Sequence, residues 1–504
     1  ELGPLDIYIE DLAAWCNIKF VMANGVGDGF FSGEGEGSHS GNLPSPEFMK
    51  PNNLYVNGQL VTNLVIPEGV TSVSDAAFMG FGGIKSVTFP ASVAHVGIRA
   101  FCKSALQTVT IPATVQSIDI AAFSGCADLK SLTIEDGVKD IGPAAFADCL
   151  DLKKVTIPAS IKNIQDFTFR WCNSMEELTI ADGIESMGEW AFYQCDKLEK
   201  VSIPSSVKSI GRNAFNACKE LKTVQLSEGL ETIDRYAFTN CSSLEALHIP
   251  ASVKAIGRNV VEDCQNLKSI TIAEGNTVYD THGNSNAIYE TGTNSIIAVS
   301  PEATIPEGIE TVGDYAFAYC SDKQSVILPE GIKWLGDYAF LHCWSLHTIT
   351  IPKSVEHIGH KTFDSCESLE EVIAMADDPC EIADDAFSNE TYKRATLYVP
   401  DEKVESYRQA EGWKSFEHIE GHSNLSSGIE PVVYQPSGEV ELKVEGRRIL
   451  LYNLHTSERV KVYSLDGKLI KDVTAAPDGR AVLMFTQRGT YIVKTQSKSL
   501  KVNL

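Results

Sequence analysis

The feature that most constrains this chain is a cysteine that returns every 23 residues. Seven cysteines keep this interval without interruption and three more resume it later: Cys126, Cys149, Cys172, Cys195, Cys218, Cys241 and Cys264, then Cys320, Cys343 and Cys366. Phenylalanine and aliphatic residues recur at fixed distances from these cysteines, as in "VSIPSSVKSIGRNAFNAC" (201–218). A period of roughly 20–29 residues with apolar residues at fixed phases predicts a solenoid.

Each repeat predicts one coil made of a strand, a corner and a turn. In "KVSIP", Val201 and Ile203 are separated by one polar residue, which is strand spacing, and Pro204 ends the strand because it has no N–H to donate. Gly211 predicts a tight corner, and the apolar spacing in "NAFNACKEL" (213–221) predicts about one helical turn. We expect roughly 13 or 14 coils to stack into a parallel ladder, because one coil alone buries too little apolar surface to fold.

The repeat "LxxVxIPxxVxxIGxxAFxxCxx" resembles the 23-residue leucine-rich repeat of the Bacteroides surface protein A (BspA-like) family over about residues 64–399. The segments "DIYIEDLAAWCNIKF" and "NNLYVNGQLVTNLVIPEGV" resemble the usual opening of such proteins. The resemblance implies a leucine-rich repeat solenoid that is exported, displayed on the cell surface and used as an adhesin for host or bacterial partners.

The charge changes sign near the end of the chain, which indicates a domain boundary. The whole chain carries a net charge of −25, whereas its last 80 residues contain 8 acidic and 12 basic residues. Short alternating segments and the turn signal Asp466-Gly467 predict an all-β sandwich in this region. The predicted regions are a capping segment with a Gly-rich loop (1–63), the solenoid with an insertion at 276–304 (64–400), a capping helix and linker (401–424) and the C-terminal β-sandwich (425–504).

Two segments of the C-terminal region, "VKVYSLDGKLIKDV" and "GTYIVKTQSKSLKV", resemble the sorting domain of type IX-secreted proteins. The matching positions are Gly489, Tyr491, Val493 and Lys501. The resemblance implies delivery to the outer surface, although the same module also occurs as an accessory domain.

The cysteine interval is broken between Cys264 and Cys320, which are 56 residues apart, or two periods plus ten. Within this span, "NAIYETGTNSIIAVSP" (286–301) predicts a hairpin that bulges from the solenoid wall as a contact loop. A tolerated irregularity of the repeat is the alternative. The candidate contact residues of this loop are Tyr289, Thr291 and Asn294.

Aromatic residues form a second candidate surface, which we call the aromatic stripe. One column just before the "AF" pair and a few neighbouring positions supply its members: Phe167, Trp190, Tyr236, Tyr315 and Tyr338, with Trp171, Tyr193 and Tyr319 beside them. Outward rings in register across coils favour protein or sugar contact, because rings bury much area with little loss of entropy. The same rings could instead pack over neighbouring coils.

Two further columns have structural explanations. A mostly Thr column between the inward strand residues is expected on the outside of the ladder, and Thr favours strands in any case. For the cysteines, each thiol lies midway between two equivalents on a face that also holds Phe and Leu. We therefore expect a reduced, buried ladder rather than a disulfide framework.

The sequence offers little support for chemistry or for a charged polymer as partner. It has no C-x-x-C, HExxH, Walker loop or nucleophile elbow, so we predict no enzyme activity, no metal and no cofactor. Weaker alternatives are calcium at Asp28, Glu34 and Glu36 and a metal at His342, Cys343 and His347, with His357 and His360 one coil further on. The net charge of −25 argues against nucleic acid.

These observations predict an exported, non-catalytic cell-surface protein that binds an extracellular protein or cell-surface ligand through its solenoid. We expect the protein to be a monomer. No apolar run approaches the ~18–20 residues of a membrane helix. The chain begins at Glu1 without a leader pattern, so we expect its export signal to lie outside this sequence. Glycan binding in nutrient capture and a structural spacer are the alternative functions.

Overall fold

The computed structural model describes residues 5–18, 51–283, 285–301, 303–320 and 323–422. In the C-terminal region it describes 441–445, 448–452, 454, 459–464, 468–475, 480–484, 490–495 and 499–503. These residues form a parallel β-solenoid of about 15 turns and a small all-β region. The predicted fold class is confirmed, with slightly more turns than the sequence suggested. Each regular turn contributes a longer strand, a shorter strand and a segment of tight turns.

The longer strands form one face of the solenoid and pair in parallel, most residues with the one 23 positions further on, as Val155 does with Leu178. Their inner residues are buried and their outer residues exposed, which is the alternation that the sequence predicted. In chain order they are Asn63–Val65, Ser86–Thr88, Thr108–Ile111, Ser131–Ile134, Lys154–Ile157, Glu177–Ile180, Lys200–Ile203, Thr223–Leu226, Ala246–Ile249, Ser269–Ile272, Ser325–Ile327, Thr348–Ile351, Glu371–Ala374, Thr396–Val399 and His418–Gly421.

The shorter strands form a second parallel ladder, and a glycine follows several of them. Gly211 is needed for space rather than for a special φ angle, because a Cβ there would stand 2.7 Å from the carbonyl carbon of Gly188 in the preceding coil. These strands are Ser72–Val73, His95–Val96, Ser117–Ile118, Asp140–Ile141, Asn163–Ile164, Ser186–Met187, Ser209–Ile210, Thr232–Ile233, Ala255–Ile256, Thr311–Val312, Trp334–Leu335, His357–Ile358 and Glu381–Ile382.

The third face, which we call the turn face, carries the "AF" and cysteine positions. The predicted helical turn is realised here as consecutive hydrogen-bonded turns: in the coil of Cys218, the N–H of Asn216 donates to the carbonyl of Asn213. Alternate N–H groups donate to the next coil instead, as from Phe215 to the Ala237 carbonyl at 2.9 Å. Most regular coils are thus tied to their neighbours on three faces.

The core is a set of columns that run along the stack. The rings from Phe78 to Phe238 stack at centroid distances of 5.1 to 5.7 Å, and a second series begins at Phe317. The predicted buried thiol ladder is confirmed, since all thirteen cysteines are free. The Cys218 thiol donates to the Phe192 carbonyl at 3.3 Å. Burial raises the pKa of this thiol to about 12.

The N-terminal end of the ladder is covered by a helix and a small sheet. Strand Leu5–Ile9 pairs in parallel with Pro51–Val56, which pairs in turn with Gln59–Val61. Helix Leu12–Cys16 begins at the N-cap Asp11, and the Trp15 indole donates to the Ala77 carbonyl at 2.9 Å. The Gly-rich loop, with the calcium candidates Asp28, Glu34 and Glu36, lies outside the described residues.

Helical segments cover the other end of the ladder. They are the helices Asn389–Arg394 and Val404–Gln409 and the 3₁₀ turns Asp401–Lys403 and Trp413–Ser415. Trp413 is fully buried there, and its indole donates to the Cys380 carbonyl at 2.8 Å. The aromatic side chains of this segment close the core that the last strand, His418–Gly421, would otherwise leave open.

The insertion does not bulge from the wall, contrary to the expectation from sequence. Strands Tyr279–Asp280, Ala287–Glu290 and Ser295–Val299 enter the shorter-strand ladder, and the last of them pairs in parallel with Thr311–Val312. The insertion therefore replaces part of the stack. The buried apolar residues form two large clusters that meet in this region.

The C-terminal region contains two antiparallel sheets around one small core. Strands Glu441–Glu445, Arg448–Tyr452 and Ala481–Met484 form one sheet. The other has Leu469–Thr474, Arg459–Ser464, Thr490–Lys494 and Ser499–Asn503, in that spatial order. Ile449 and Val462, one from each sheet, are fully buried in the shared core. The predicted turn Asp466-Gly467 and Gly489 lie outside the described residues.

Candidate functional site

The aromatic stripe lies on the turn face, and all eight of its side chains are partly exposed. The structure brings most of them into two groups. The first aromatic cluster contains Phe167, Trp171, Trp190 and Tyr193, and the second contains Tyr315, Tyr319 and Tyr338. Tyr236 lies between the two groups along the stack.

Seven of the eight stripe residues have a left-handed backbone, with φ between 57° and 62°; Tyr193 is the exception. Each regular coil has two such positions, one before the "AF" pair and one before the cysteine. Bulky residues rarely adopt this conformation, because Cβ crowds the following carbonyl. Sequence reasoning missed this feature. Its signal was present, since the same columns hold Asn213, Asn240 and Gly125 in other coils, and Asn and Gly tolerate positive φ.

In the first aromatic cluster, rings from two coils share contacts. Phe167 and Trp190 lie nearly parallel with centroids 6.4 Å apart, and Tyr193 meets Trp190 edge-on at 4.7 Å. The guanidinium of Arg170 stands 3.6 Å from the Trp171 ring. Burial lowers the pKa of Arg170, while the carboxylate of Asp148 in the preceding coil opposes that shift. The cluster thus combines large rings with one partly buried cation.

The second aromatic cluster consists of two sets of ring contacts and also includes His342 and Trp344, which the sequence did not assign to the stripe. Tyr315 and Tyr338 stack with centroids 4.7 Å apart and planes 7° apart. Tyr319 lies 4.7 Å from His342 and 5.9 Å from Trp344, whose side chain is 41% exposed. His342 could have been found from sequence, because it occupies the column of Trp171 and Tyr319.

Tyr315 lies close enough to Tyr236, on the other side of the insertion, for the two phenols to influence each other electrostatically. Burial, followed by the electrostatic influence of Tyr236 and Tyr338, raises the pKa of the Tyr315 phenol to about 12. At neutral pH the hydroxyl is therefore protonated and can both donate and accept a hydrogen bond. The stripe as a whole offers flat rings with hydroxyl, indole and guanidinium donors, which suits a protein or a sugar surface.

The three candidate residues of the insertion loop have mainly structural contacts. Tyr289 is 1% exposed and its hydroxyl donates to the Thr304 carbonyl at 3.3 Å, so its prediction as a surface contact residue is corrected. Thr291 is exposed, but its hydroxyl donates to the Val278 carbonyl at 3.1 Å. The Asn294 amide donates to the Gly308 carbonyl at 2.6 Å. These bonds fasten the hairpin to the stack.

The Thr column lies on the outside of the longer-strand face, as predicted. Its members are Thr88, Thr110, Thr133, Thr156, Thr179, Ser202, Gln225, His248, Thr271 and Thr350, and all except Thr350 are exposed. Cross-strand bonds such as His248 to Thr271, 2.9 Å apart, join neighbouring members. This face is polar, regular and free of large rings over most of its length.

The described residues contain no group of three or more His, Cys, Asp or Glu side chains that could hold a metal ion. His342 and His347 differ in their surroundings: His342 packs in the second aromatic cluster, and His347 contacts the Ser345 carbonyl at 2.7 Å. None of the helices described here has the length and apolar character required to cross a bilayer.

The repeat family is decided by a match that covers most of the chain. The BspA-type leucine-rich repeat region matches residues 51–175, 162–289 and 300–409. The chain is a BspA-type leucine-rich repeat protein. A search of curated proteins returned no match.

Solved structures of other bacterial leucine-rich repeat proteins resemble this BspA-type chain. A leucine-rich repeat protein from Bacteroides ovatus is 24% identical, with a TM-score of 0.50, and the match covers 72% of this chain and 92% of that one. A leucine-rich cell surface protein from Faecalibacterium prausnitzii is 26% identical, with a TM-score of 0.43, covering 62% and 87% of the two chains. The pneumococcal vaccine antigen PcpA is 18% identical, with a TM-score of 0.38, covering 74% and 88%. The Bacteroides ovatus likeness supports the solenoid fold.

Proposed function

We propose that this BspA-type protein is displayed on the cell surface, has no catalytic role and binds a partner protein through the aromatic stripe, as an adhesin does. The family supports a repeat protein whose surface serves for binding. The position of the binding surface, the export of the chain and its adhesive role are our inferences.

The observation that carries the proposal is the placement of large rings at strained backbone positions. Trp171, Trp190 and Tyr338 have φ of 62°, 57° and 58°, where Asn or Gly would cost less. These rings are partly exposed, so core packing alone does not account for the choice of residue. Exposed aromatic residues held in one conformation are the side chains that contribute most to protein interfaces.

The experiment compares a variant that lacks aromatic residues of the stripe with a control variant that lacks the same number of polar residues on the longer-strand face. The triple variant Trp190→Ala, Tyr236→Ala, Tyr315→Ala removes rings from both clusters and between them. The control is Thr156→Ala, Thr179→Ala, Gln225→Ala, which changes the same number of exposed positions on the longer-strand face. Both variants and the wild type are tested for binding to an array of extracellular matrix proteins and bacterial surface glycans.

We expect the stripe variant to lose at least about tenfold in affinity for the proteins that the wild type binds, and the control to keep it. Melting temperatures of all three proteins serve to exclude unfolding. Equal binding by the two variants would reject the stripe as the binding surface. Binding confined to glycans would favour glycan capture, and the absence of any binding would favour a structural spacer.

A further inference from the structure

The longer-strand face changes its character in the last coils of the solenoid. Its outward column is polar and exposed as far as Thr271. In the coils after the insertion the same column holds Ile327, Thr350, Ile373 and Tyr398. The last three are only partly exposed, and we call them the distal patch. A contiguous set of apolar or covered residues on the outside of a sheet marks an interaction surface.

An ion pair joins the C-terminal region to the middle of the distal patch. The guanidinium of Arg480 donates to the Glu371 carboxylate at 2.9 Å, although the two residues are 109 positions apart in the chain. Glu371 lies two residues before Ile373 on the strand Glu371–Ala374. Burial raises the pKa of the Tyr398 phenol, as does the charge of Glu371, and Arg480 opposes both effects. Arg480 therefore lies close to two adjacent strands of the patch.

A cleft of about 270 Å³ lies next to this ion pair, between the solenoid and the C-terminal region. Lys471, Val473 and Val482 line it from the C-terminal region. Glu367 and Glu370 are among the solenoid residues that line it from the other side. The contact between the two regions is therefore wider than one ion pair and includes apolar as well as charged side chains.

The C-terminal region approaches the solenoid with the outermost strand of each of its sheets. In the described residues, Leu469–Thr474 is the last strand of one sheet and Ala481–Met484 is the last strand of the other. Val473 belongs to the first of these strands and Val482 to the second. Open strand edges attract other chains, and native proteins commonly cover them with another element. The solenoid provides such a cover for both edges.

The charges of the two regions are complementary. The last 80 residues contain 8 acidic and 12 basic residues, whereas the whole chain carries a net charge of −25. The rest of the chain is therefore strongly acidic, and the C-terminal region has an excess of positive charge. Opposite charges favour encounter and correct orientation of two surfaces.

We infer that the distal patch is a docking surface and that its occupant is the C-terminal β region of the same chain, held by the ion pair of Arg480 and Glu371. Because both belong to one chain, docking has an effective concentration on the order of millimolar. The patch is then closed to outside partners, and the two regions move as one body. This inference goes beyond the proposed binding function and does not depend on the aromatic stripe.

The test uses a carbodiimide, which joins a lysine to a nearby carboxylate through an amide bond, followed by mass spectrometry of the full chain. We expect Lys471 to be joined to Glu367 or Glu370. Lys153 and Glu176, which lie 2.9 Å apart within the solenoid, provide the positive control. The absence of an amide at Lys471, in a sample where the control pair is joined, would overturn the inference.

An equal mixture of isotope-labelled and unlabelled protein shows whether the contact lies within one chain. We expect the amide at Lys471 to join peptides of the same isotopic composition. Mixed pairs in the statistical proportion would show that the patch is occupied by a second copy, which contradicts docking within the chain.

Exchange of charges tests the ion pair. Arg480→Glu brings a like charge to Glu371, and we expect the yield of the amide at Lys471 to fall at least about threefold. The double variant Arg480→Glu, Glu371→Arg restores opposite charges and should recover the yield. The control Glu177→Arg changes the equivalent residue of an exposed strand position and should not affect it. An undiminished yield with Arg480→Glu, or no recovery in the double variant, would contradict the assignment.

Substitutions in the distal patch test its apolar part. Ile373→Thr with Tyr398→Thr gives the patch the residue that the column has in most other coils, and we expect a lower yield of the amide at Lys471. The matched control, Thr156→Ala with Thr179→Ala, changes two outward residues of exposed coils. Melting temperatures serve to exclude unfolding. Equal yields in the two variants would reject the distal patch as the docking surface.

Discussion

The guanidinium carbon of Arg170 lies 3.6 Å from the centroid of the Trp171 ring. Both residues are partly buried, and Trp171 has a left-handed backbone with φ of 62°. The N–H of Trp171 donates to the Tyr193 carbonyl of the next coil at 2.8 Å. The cation therefore restrains the ring, and the neighbouring coil restrains the backbone of Trp171. Because the side chain is already restrained, it would lose little conformational entropy on binding.

A double-mutant cycle measures the contact between these two side chains. The variants are Arg170→Ala, Trp171→Ala and the double substitution, each unfolded with urea. We expect a coupling free energy of roughly 0.5–2 kcal/mol, as for cation–π pairs that are partly desolvated. A coupling free energy of zero would show that the contact between the guanidinium and the Trp171 ring does not stabilise the fold.

The left-handed position of Trp190 predicts an unusual order of stability among its variants. Glycine normally costs stability relative to alanine, but at φ of 57° it avoids the crowding of Cβ. We expect Trp190→Gly to be more stable than Trp190→Ala by about 1 kcal/mol in urea unfolding. At Thr156, an exposed strand residue, the order should reverse, with glycine less stable by roughly 0.5–1 kcal/mol. The same order at both sites would contradict the described backbone.

The buried thiols predict that the solenoid loses stability in alkali. Burial raises the pKa of Cys126, Cys218 and Cys264 from 9.0 to about 12, so the fold favours the protonated thiol. Their contribution is complete below pH 9 and is lost as pH rises towards 12, because the unfolded chain ionises first. Each such thiol lowers the free energy of unfolding by about 1.4 kcal/mol per pH unit in that window.

The control for this prediction separates the thiols from the buried tyrosines, which ionise in the same range. Cys218→Ala removes one thiol and leaves every phenol in place. Its free energy of unfolding should fall less steeply between pH 9 and 11 than that of the wild type, by about 1.4 kcal/mol per pH unit. An unchanged slope would assign the alkaline sensitivity to the tyrosines.

The sequence predicted the regular part of the fold because every coil meets an almost identical neighbour. The burial of Val201 and the exposure of Thr156 follow from the alternation of side chains along a strand. The sequence pattern of each strand therefore agrees with the contacts that the strand makes in the stack. The conformation of Trp171 and the burial of Tyr289 were not predicted. The first depends on bonds to the next coil, and the second depends on the hairpin joining the ladder, which the spacing of residues does not specify.

The interruption of the turn-face bonds between the coils of Cys264 and Cys320 predicts that the two halves of the solenoid unfold separately. The apolar residues form two large clusters, and the turn-face bonds stop between Asn259 and Ala318 in the described structure. In a stack stabilised by neighbours, a weakened junction limits how far a local defect spreads. Leu346→Ala, which empties a fully buried position, should cost about 2–5 kcal/mol.

We expect this variant to speed hydrogen exchange in residues 311–419 and to leave residues 108–250 protected. Leu198→Ala, at the equivalent buried position of the first half, should give the opposite pattern. Because the strand Ser295–Val299 still pairs with Thr311–Val312, a partial effect near 295–312 is compatible with the structure. Faster exchange along the whole solenoid in either variant would show that this interruption does not divide the solenoid into two cooperative units.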